Sequence, residues 1–206
     1  GFFQGRRPDG SRREPDPQRF DPLEWGGDYV ETNAWGMAFS TVHDGAGLAR
    51  LYGSLAGDPR LVAPKRALDS DAMQPAGDRA LGARLDEALS IVEPASSANK
   101  GSYWSVIHEM VEARSLRLGQ FGLSNQPAHH LPFMYLHAGQ PWHTQWLTRE
   151  YCDRLLVGEE IGQGYVGDED NGELSAWQLF AMLGLYPLQP GSGEWVLTSP
   201  VFERVR

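Results

Sequence analysis

Apolar and aromatic residues recur at helical spacing from Tyr29 to Ser40, and His43-Asp44 interrupts them before a second such run from about Gly45 to Leu55. The pattern predicts a helix pair. Further helices are predicted near 59–68, 79–93 and 103–117, with loops at Met73-Gln74-Pro75-Ala76-Gly77 and Glu93-Pro94-Ala95-Ser96-Ser97. Pro127 and Pro132 suit the start of a helix running to about Ala138. Gly139-Gln140-Pro141 ends it and seats a proline in the first turn of the next, about 141–156, where the missing N–H costs nothing. A last helix is expected from about Leu174 to Leu183, stopped by Gly184 with Pro187 close behind, and only Glu194 to Thr198 reads as a strand. Residues 1 to 24 are rich in proline and charge, so they predict a loop that adds nothing to the core. There is no short-period repeat. The expectation is an all-α chain, mostly helical with long loops, which suits an α/α toroid whose loops gather at one mouth.

At 206 residues the chain could fill one large domain or part of a bigger one. Both ends read as cuts through a longer polypeptide. No apolar run approaches the roughly 18 residues of a membrane span, so no membrane partner is expected. Lys and Arg total 18 against 27 Asp and Glu, a net charge of −9 that argues against nucleic acid and fits a neutral substrate or a bound cation. The lone Cys152 can form neither an internal disulfide nor a thiolate pair, and reads as a helix-packing residue. Seven Trp, seven Tyr and eight Phe fill cores first, but such rings also offer flat faces to sugars.

Three polar clusters could carry chemistry. Gly167-Asp168-Glu169-Asp170-Asn171-Gly172 lies just ahead of the Leu174 helix. Its carboxylates could cap that helix, face a cation, or take a proton from an attacking water, and spacing alone leaves these open. In the second cluster, from Trp25 to Trp35, Glu31 sits among Tyr29, Asn33 and Trp35. Packed against aromatic surface it would be a proton donor; on a first helical turn it would be an ordinary solvent-facing carboxylate. The third is Asn125-Gln126-Pro127-Ala128-His129-His130. Adjacent histidines point apart on a helix, so zinc is not expected, whereas the amide oxygens of Asn125 and Gln126 suit a hard cation such as calcium or a hydrogen-bonded loop. Neither a phosphate-binding glycine loop nor a Gly-x-Ser-x-Gly elbow is present.

In this order the clusters resemble family 92 of the glycoside hydrolases, the exo-acting calcium-dependent α-mannosidases. Tyr29-Val30-Glu31-Thr32-Asn33-Ala34-Trp35 is similar to its Y-x-E-x-N-A-W segment, His43-Asp44 to the H-D that follows, and Asn125 to His130 to N-[EQ]-P-x-x-H. Ala138-Gly139-Gln140-Pro141-Trp142-His143-Thr144-Gln145 resembles A-G-Q-P-W-K-T-Q, and Gly167 to Trp177 resembles G-D-E-D-N-G-x-x-S-A-W, with Gly184-Leu185-Tyr186-Pro187 behind it. The resemblance implies part of an (α/α)6 barrel, with the family's N-terminal β-sandwich outside this chain and the remainder of the polypeptide as its partner. It implies that Glu31 protonates the glycosidic oxygen while Asp170, with Asp168 as helper or alternative, activates water with inversion. It further implies substrate contacts from Trp25, Asn33, Trp35, His129, His130 and Trp177, and calcium near Asn125, Gln126 and Asp170. The expected substrate is a mannose-containing glycan, and family habit suggests a secreted or periplasmic enzyme. The isolated segment is expected to be inactive.

The chain departs from the H-G-N-E-P wording of α-1,2-specific members, placing the neutral Gln126 where they have an acid, so no linkage follows. His143 replaces the more usual lysine. Two rival functions remain: a non-catalytic calcium-dependent sugar-binding protein, and an (α/α)6 hydrolase of another sugar.

Overall fold

The computed structural model describes residues 1–55, 75–155 and 164–206. Its helices are α1 (Ala34–Met37), α2 (Gly45–Leu55), α3 (Ala76–Ser90), α4 (His108–Leu116), α5 (Pro141–Arg154) and α6 (Glu173–Leu183). Short 3-10 turns cover Val42–Asp44, Gln126–Ala128 and Leu131–Leu136. Two strands of two residues each, β1 (Leu185–Tyr186) and β2 (Val196–Leu197), pair antiparallel with Leu185 opposite Leu197. The chain is therefore all-α with long loops, as the periodicity predicts. The helix predicted near 59–68 lies outside the described residues.

Helices α2 and α3 pack together because glycine lets their backbones meet. A Cβ on Gly53 would come within 2.8 Å of the Gly77 Cα, and one on Gly77 within 2.7 Å of the Ala49 carbonyl oxygen. Leu48, Ala49 and Tyr52 of α2 and Leu81, Leu85 and Ala88 of α3 are buried in one core. The second half of that core gathers around Trp177 of α6. Its ring meets Tyr151 of α5 edge-on at 4.6 Å between centroids and Phe133 at 6.2 Å, and Phe133 stacks on Tyr186 of β1 at 3.8 Å. Cys152, half-buried in α5, is a free thiol whose pKa burial pushes up to about 11, so it is an inert packing residue.

Four expectations need correcting. The Tyr29–Ser40 periodicity yields only one helical turn at Ala34–Met37, because Asn33 caps it: its side-chain oxygen accepts from the Trp35 and Gly36 amides. Residues 103–107 stay outside α4. The helix expected up to Ala138 is instead two 3-10 turns, since Pro127 and Pro132, five residues apart, each remove a donor a continuous helix would use. Finally, the N-terminal segment does contribute to the core. Phe2 meets Trp35 edge-on at 4.9 Å, and the Arg84 guanidinium lies over both rings, 3.9 Å from Trp35 and 4.4 Å from Phe2.

Candidate active site

Glu31 stands on the loop before α1 in the left-handed region, at φ 53°. For a residue with a Cβ this conformation costs about 1–2 kcal/mol, so surrounding contacts must impose it. The Glu31 amide donates to the Tyr103 hydroxyl at 2.8 Å, and Asn125 Nδ2 donates to Glu31 Oε2 at 3.1 Å. Glu31 is exposed, and its carboxylate answers to an amide rather than to the aromatic surface suggested by its neighbours in sequence. It lines a small recess with Trp25, Glu93, Glu109 and Asn125.

On the other side, three consecutive carboxylates are separated by what each one binds. Glu169 turns back to the start of α6, accepting from the Gly172 amide at 2.7 Å, the Ser175 amide at 3.2 Å and the Ser175 hydroxyl at 2.5 Å. The Ser175 bonds, with the Gly172 amide, hold its pKa below the usual carboxylate range. Asp170 and Asn171 then adopt φ values of 55° and 57°, followed by Gly172 at 103°. This left-handed run splays Asp170 away from Glu169, and its Oδ2 accepts a hydrogen bond from Gln126 Nε2. Asp168 faces α4, where its charge helps raise the pKa of both His108 and Glu112. For His108 the hydrogen bond to Glu112 is the larger cause; for Glu112 it is burial.

One 3-10 turn therefore reaches both carboxylates. Asn125 touches Glu31, and its neighbour Gln126 touches Asp170. Among the described residues no cluster of three or more His, Cys, Asp or Glu is placed to hold a metal. Gln126 turns its Nε2 to Asp170, and Asn125 Oδ1 accepts from the Gln126 amide at 3.0 Å. A carboxylate and a side-chain amide that can rotate its oxygen inward are donor types that a hard cation takes, together with water and substrate hydroxyls.

The other predicted residues are mostly braced by protein. Asn33 donates to Gln120 Oε1 at 2.7 Å besides capping α1. The Trp25 indole donates to buried Glu93 at 3.1 Å. Trp35 and Trp177 are each 3% exposed, so neither presents a ring face to a ligand here. His129 Nδ1 lies 2.7 Å from Glu173 Oε1 and its carbonyl accepts from the Trp177 indole at 3.0 Å. The His130 ring is enclosed, which lowers its pKa to about 4. Sequence reasoning passed over Tyr103, which sits in a segment read as helix, and also the α4 group of His108, Glu109 and Glu112. The latter had a legible signal in the spacing of His108 and Glu112 one helical turn apart, joined here at 3.0 Å.

The whole chain, residues 1–206, matches the glycosyl hydrolase family 92 catalytic domain. It belongs to that family. A solved family GH92 α-mannosidase, BT3965 from Bacteroides thetaiotaomicron, superposes on 97% of this chain with a TM-score of 0.66 and 23% identity. The same protein in complex with mannoimidazole gives a TM-score of 0.67. The likeness is one of fold, consistent with an all-α piece of a toroid. A protein from Arthroderma benhamiae described as an uncharacterized secreted glycosidase is 29% identical over 83 residues, 40% of this chain. The chain spans 20% and 22% of the two solved chains and 10% of that relative.

Proposed function

We propose that this chain forms part of the catalytic domain of an exo-acting α-mannosidase that removes terminal α-linked mannose with inversion. The observation that carries the reading is the pair of carboxylates, Glu31 and Asp170, each on left-handed backbone and each met by one of two adjacent amides. Loop residues held in such conformations mark sites where geometry matters more than local stability. Glu31, exposed at the rim of its recess, protonates the departing glycosidic oxygen. Asp170, with Asp168 as helper or alternative, takes a proton from the attacking water on the opposite face of the sugar. Inversion requires the two carboxyl groups to stand roughly 6.5–9.5 Å apart so that the water fits between them. Calcium near Asn125, Gln126 and Asp170 would contribute contacts to sugar hydroxyls that hold the ring in a distorted shape. The remaining barrel helices and an N-terminal β-sandwich belong to the rest of the polypeptide. The secreted description of one relative supports an exported enzyme.

The test is mannose release from α-1,2-, α-1,3- and α-1,6-linked mannobiosides by the full-length parent, with and without EDTA, alongside Glu31→Gln. Release that needs calcium is expected, with β-mannose as the first product by NMR. The substitution should lower kcat by about 10²–10⁴, the usual worth of a general acid. First release of α-mannose would overturn inversion, and a folded, calcium-loaded parent that releases none from any of the three would overturn the enzyme reading.

A further inference from the structure

We infer that Tyr103 is a positioning residue for Glu31, and that the segment 99–103 is a clasp setting how the acid is presented. This rests on Glu31 being the acid. The clasp is tied to the Glu31 loop at successive points. The Trp25 amide donates to the Asn99 carbonyl at 2.9 Å, the Ser102 amide to the Trp25 carbonyl at 3.3 Å, and the Gly27 amide to Ser102 Oγ at 2.8 Å. The Glu31 amide, donating to the Tyr103 hydroxyl at 2.8 Å, is the last of these ties and reaches across 72 residues.

Two features hold Tyr103 in place, one on its backbone and one on its ring. Lys100 Nζ donates to the Tyr103 carbonyl at 2.7 Å while the Tyr103 amide donates to the Lys100 carbonyl at 3.0 Å. The ring then occupies space that only a glycine leaves free, since a Cβ on Gly26 would fall 2.9 Å from Tyr103 Cε2 and 2.2 Å from Ser102 Oγ. Gly26 itself has a φ of 73°.

The consequence follows from backbone geometry. At φ 53° the orientation of the Glu31 amide determines where Cβ, and hence the carboxyl, points. With its amide held by Tyr103, Glu31 meets Asn125 from a single direction. Thr32 is tied back through the Gly26 amide at 3.1 Å and Asn125 Nδ2 also reaches the Glu31 carbonyl at 3.5 Å, but the Tyr103 bond is the tie on the Glu31 amide itself. Its loss favours relaxation toward the right-handed or extended regions an ordinary residue prefers, which swings the carboxyl away from Asn125. Asn125 holds one carboxyl oxygen, and Tyr103 holds the backbone that carries it.

A group that only aims a proton donor matters most when the leaving group needs the proton. Tyr103→Phe in the full-length parent, which keeps the ring and removes the hydroxyl, should lower kcat on a mannobioside about 10-fold or more while leaving KM within about 2-fold, a fraction of what a general acid supplies. On 2,4-dinitrophenyl α-mannoside, whose leaving group departs without protonation, kcat should stay within about 2-fold. Ser102→Ala removes one clasp tie but not the bond to Glu31, so it should show the same leaving-group dependence more weakly than Tyr103→Phe. Equal loss on both substrates for Tyr103→Phe, or no loss on either, would overturn the proposal. Glu31→Gln, run in parallel, separates that result from failure of the acid assignment, because a true acid shows the same leaving-group dependence more strongly.

Discussion

At the scale of single residues, what decides each carboxylate's role is the partner it has found. Glu169 is spent on the start of α6, whereas Glu31 and Asp170 meet side-chain amides from one turn. The adjacent His130 shows how the same turn couples to pH. Its Nε2 is buried with no hydrogen-bond partner among the described residues, and burial, opposed by a smaller hydrogen bond that the ring donates to the Phe39 backbone, takes its pKa from 6.5 to about 4. The folded state thus keeps His130 neutral where the unfolded chain binds a proton. Its contribution is fully present above pH 6.5 and is lost as pH falls toward 4, by about 3 kcal/mol in all. Between pH 7 and pH 5 the wild type should lose about 2 kcal/mol more unfolding free energy in urea than His130→Gln, which has no proton to take up. Identical pH slopes for the two proteins would show that His130 is not held neutral.

At the scale of elements, α6 carries the acidic loop, and its start is unusual. Gly172, the residue before the helix, has a φ of 103°, and a Cβ there would meet nothing within 4 Å among the described residues, so conformation and not their crowding calls for the glycine. Gly172→Ala should destabilise this end by about 1–2 kcal/mol through backbone strain alone. Hydrogen exchange should rise in the first turn of α6 and in 168–172 but not in α2, and kcat should fall with the loop's order. Unchanged protection at Leu174 and Ser175 would contradict that account. The elements legible in the sequence are those fixed by local signals: α2 and α6 by periodicity and stops, α5 by Pro141 in its first turn. The candidate carboxylates were legible too, through their motifs. What the sequence hid was the path around Glu31. Its conformation is imposed by Tyr103 and Asn125, 72 and 94 residues away, and local pattern carries no record of such contacts. The pairing of Leu185–Tyr186 with Val196–Leu197 escaped for the opposite reason, because two residues are too short to show alternation.

At the scale of the whole molecule, the site joins distant parts of the chain: Glu31 near one end, Asp170 near the other, and the Asn125-Gln126 turn between them. Such a site is only as well ordered as the packing around it, and part of that packing is exposed. Trp142 and Trp146, one turn apart on α5, are 40% and 53% exposed, while Leu179 of α6 is 53% exposed and Leu197 of β2 is 73%. Helices that bury one face against a core and leave large rings on the other are built to be covered, and this chain matches 20% of the length of the solved GH92 protein. The chain produced alone as residues 1–206 should therefore self-associate at micromolar concentration in sedimentation, and Trp142→Ser with Trp146→Ser should reduce that association. In the full-length parent the same pair of substitutions should instead lower thermal stability, because there the rings have partners to lose. A monomeric 1–206 segment, together with a parent indifferent to both substitutions, would show that this face meets water in the working protein and that the site needs nothing from the rest of the barrel to hold its shape.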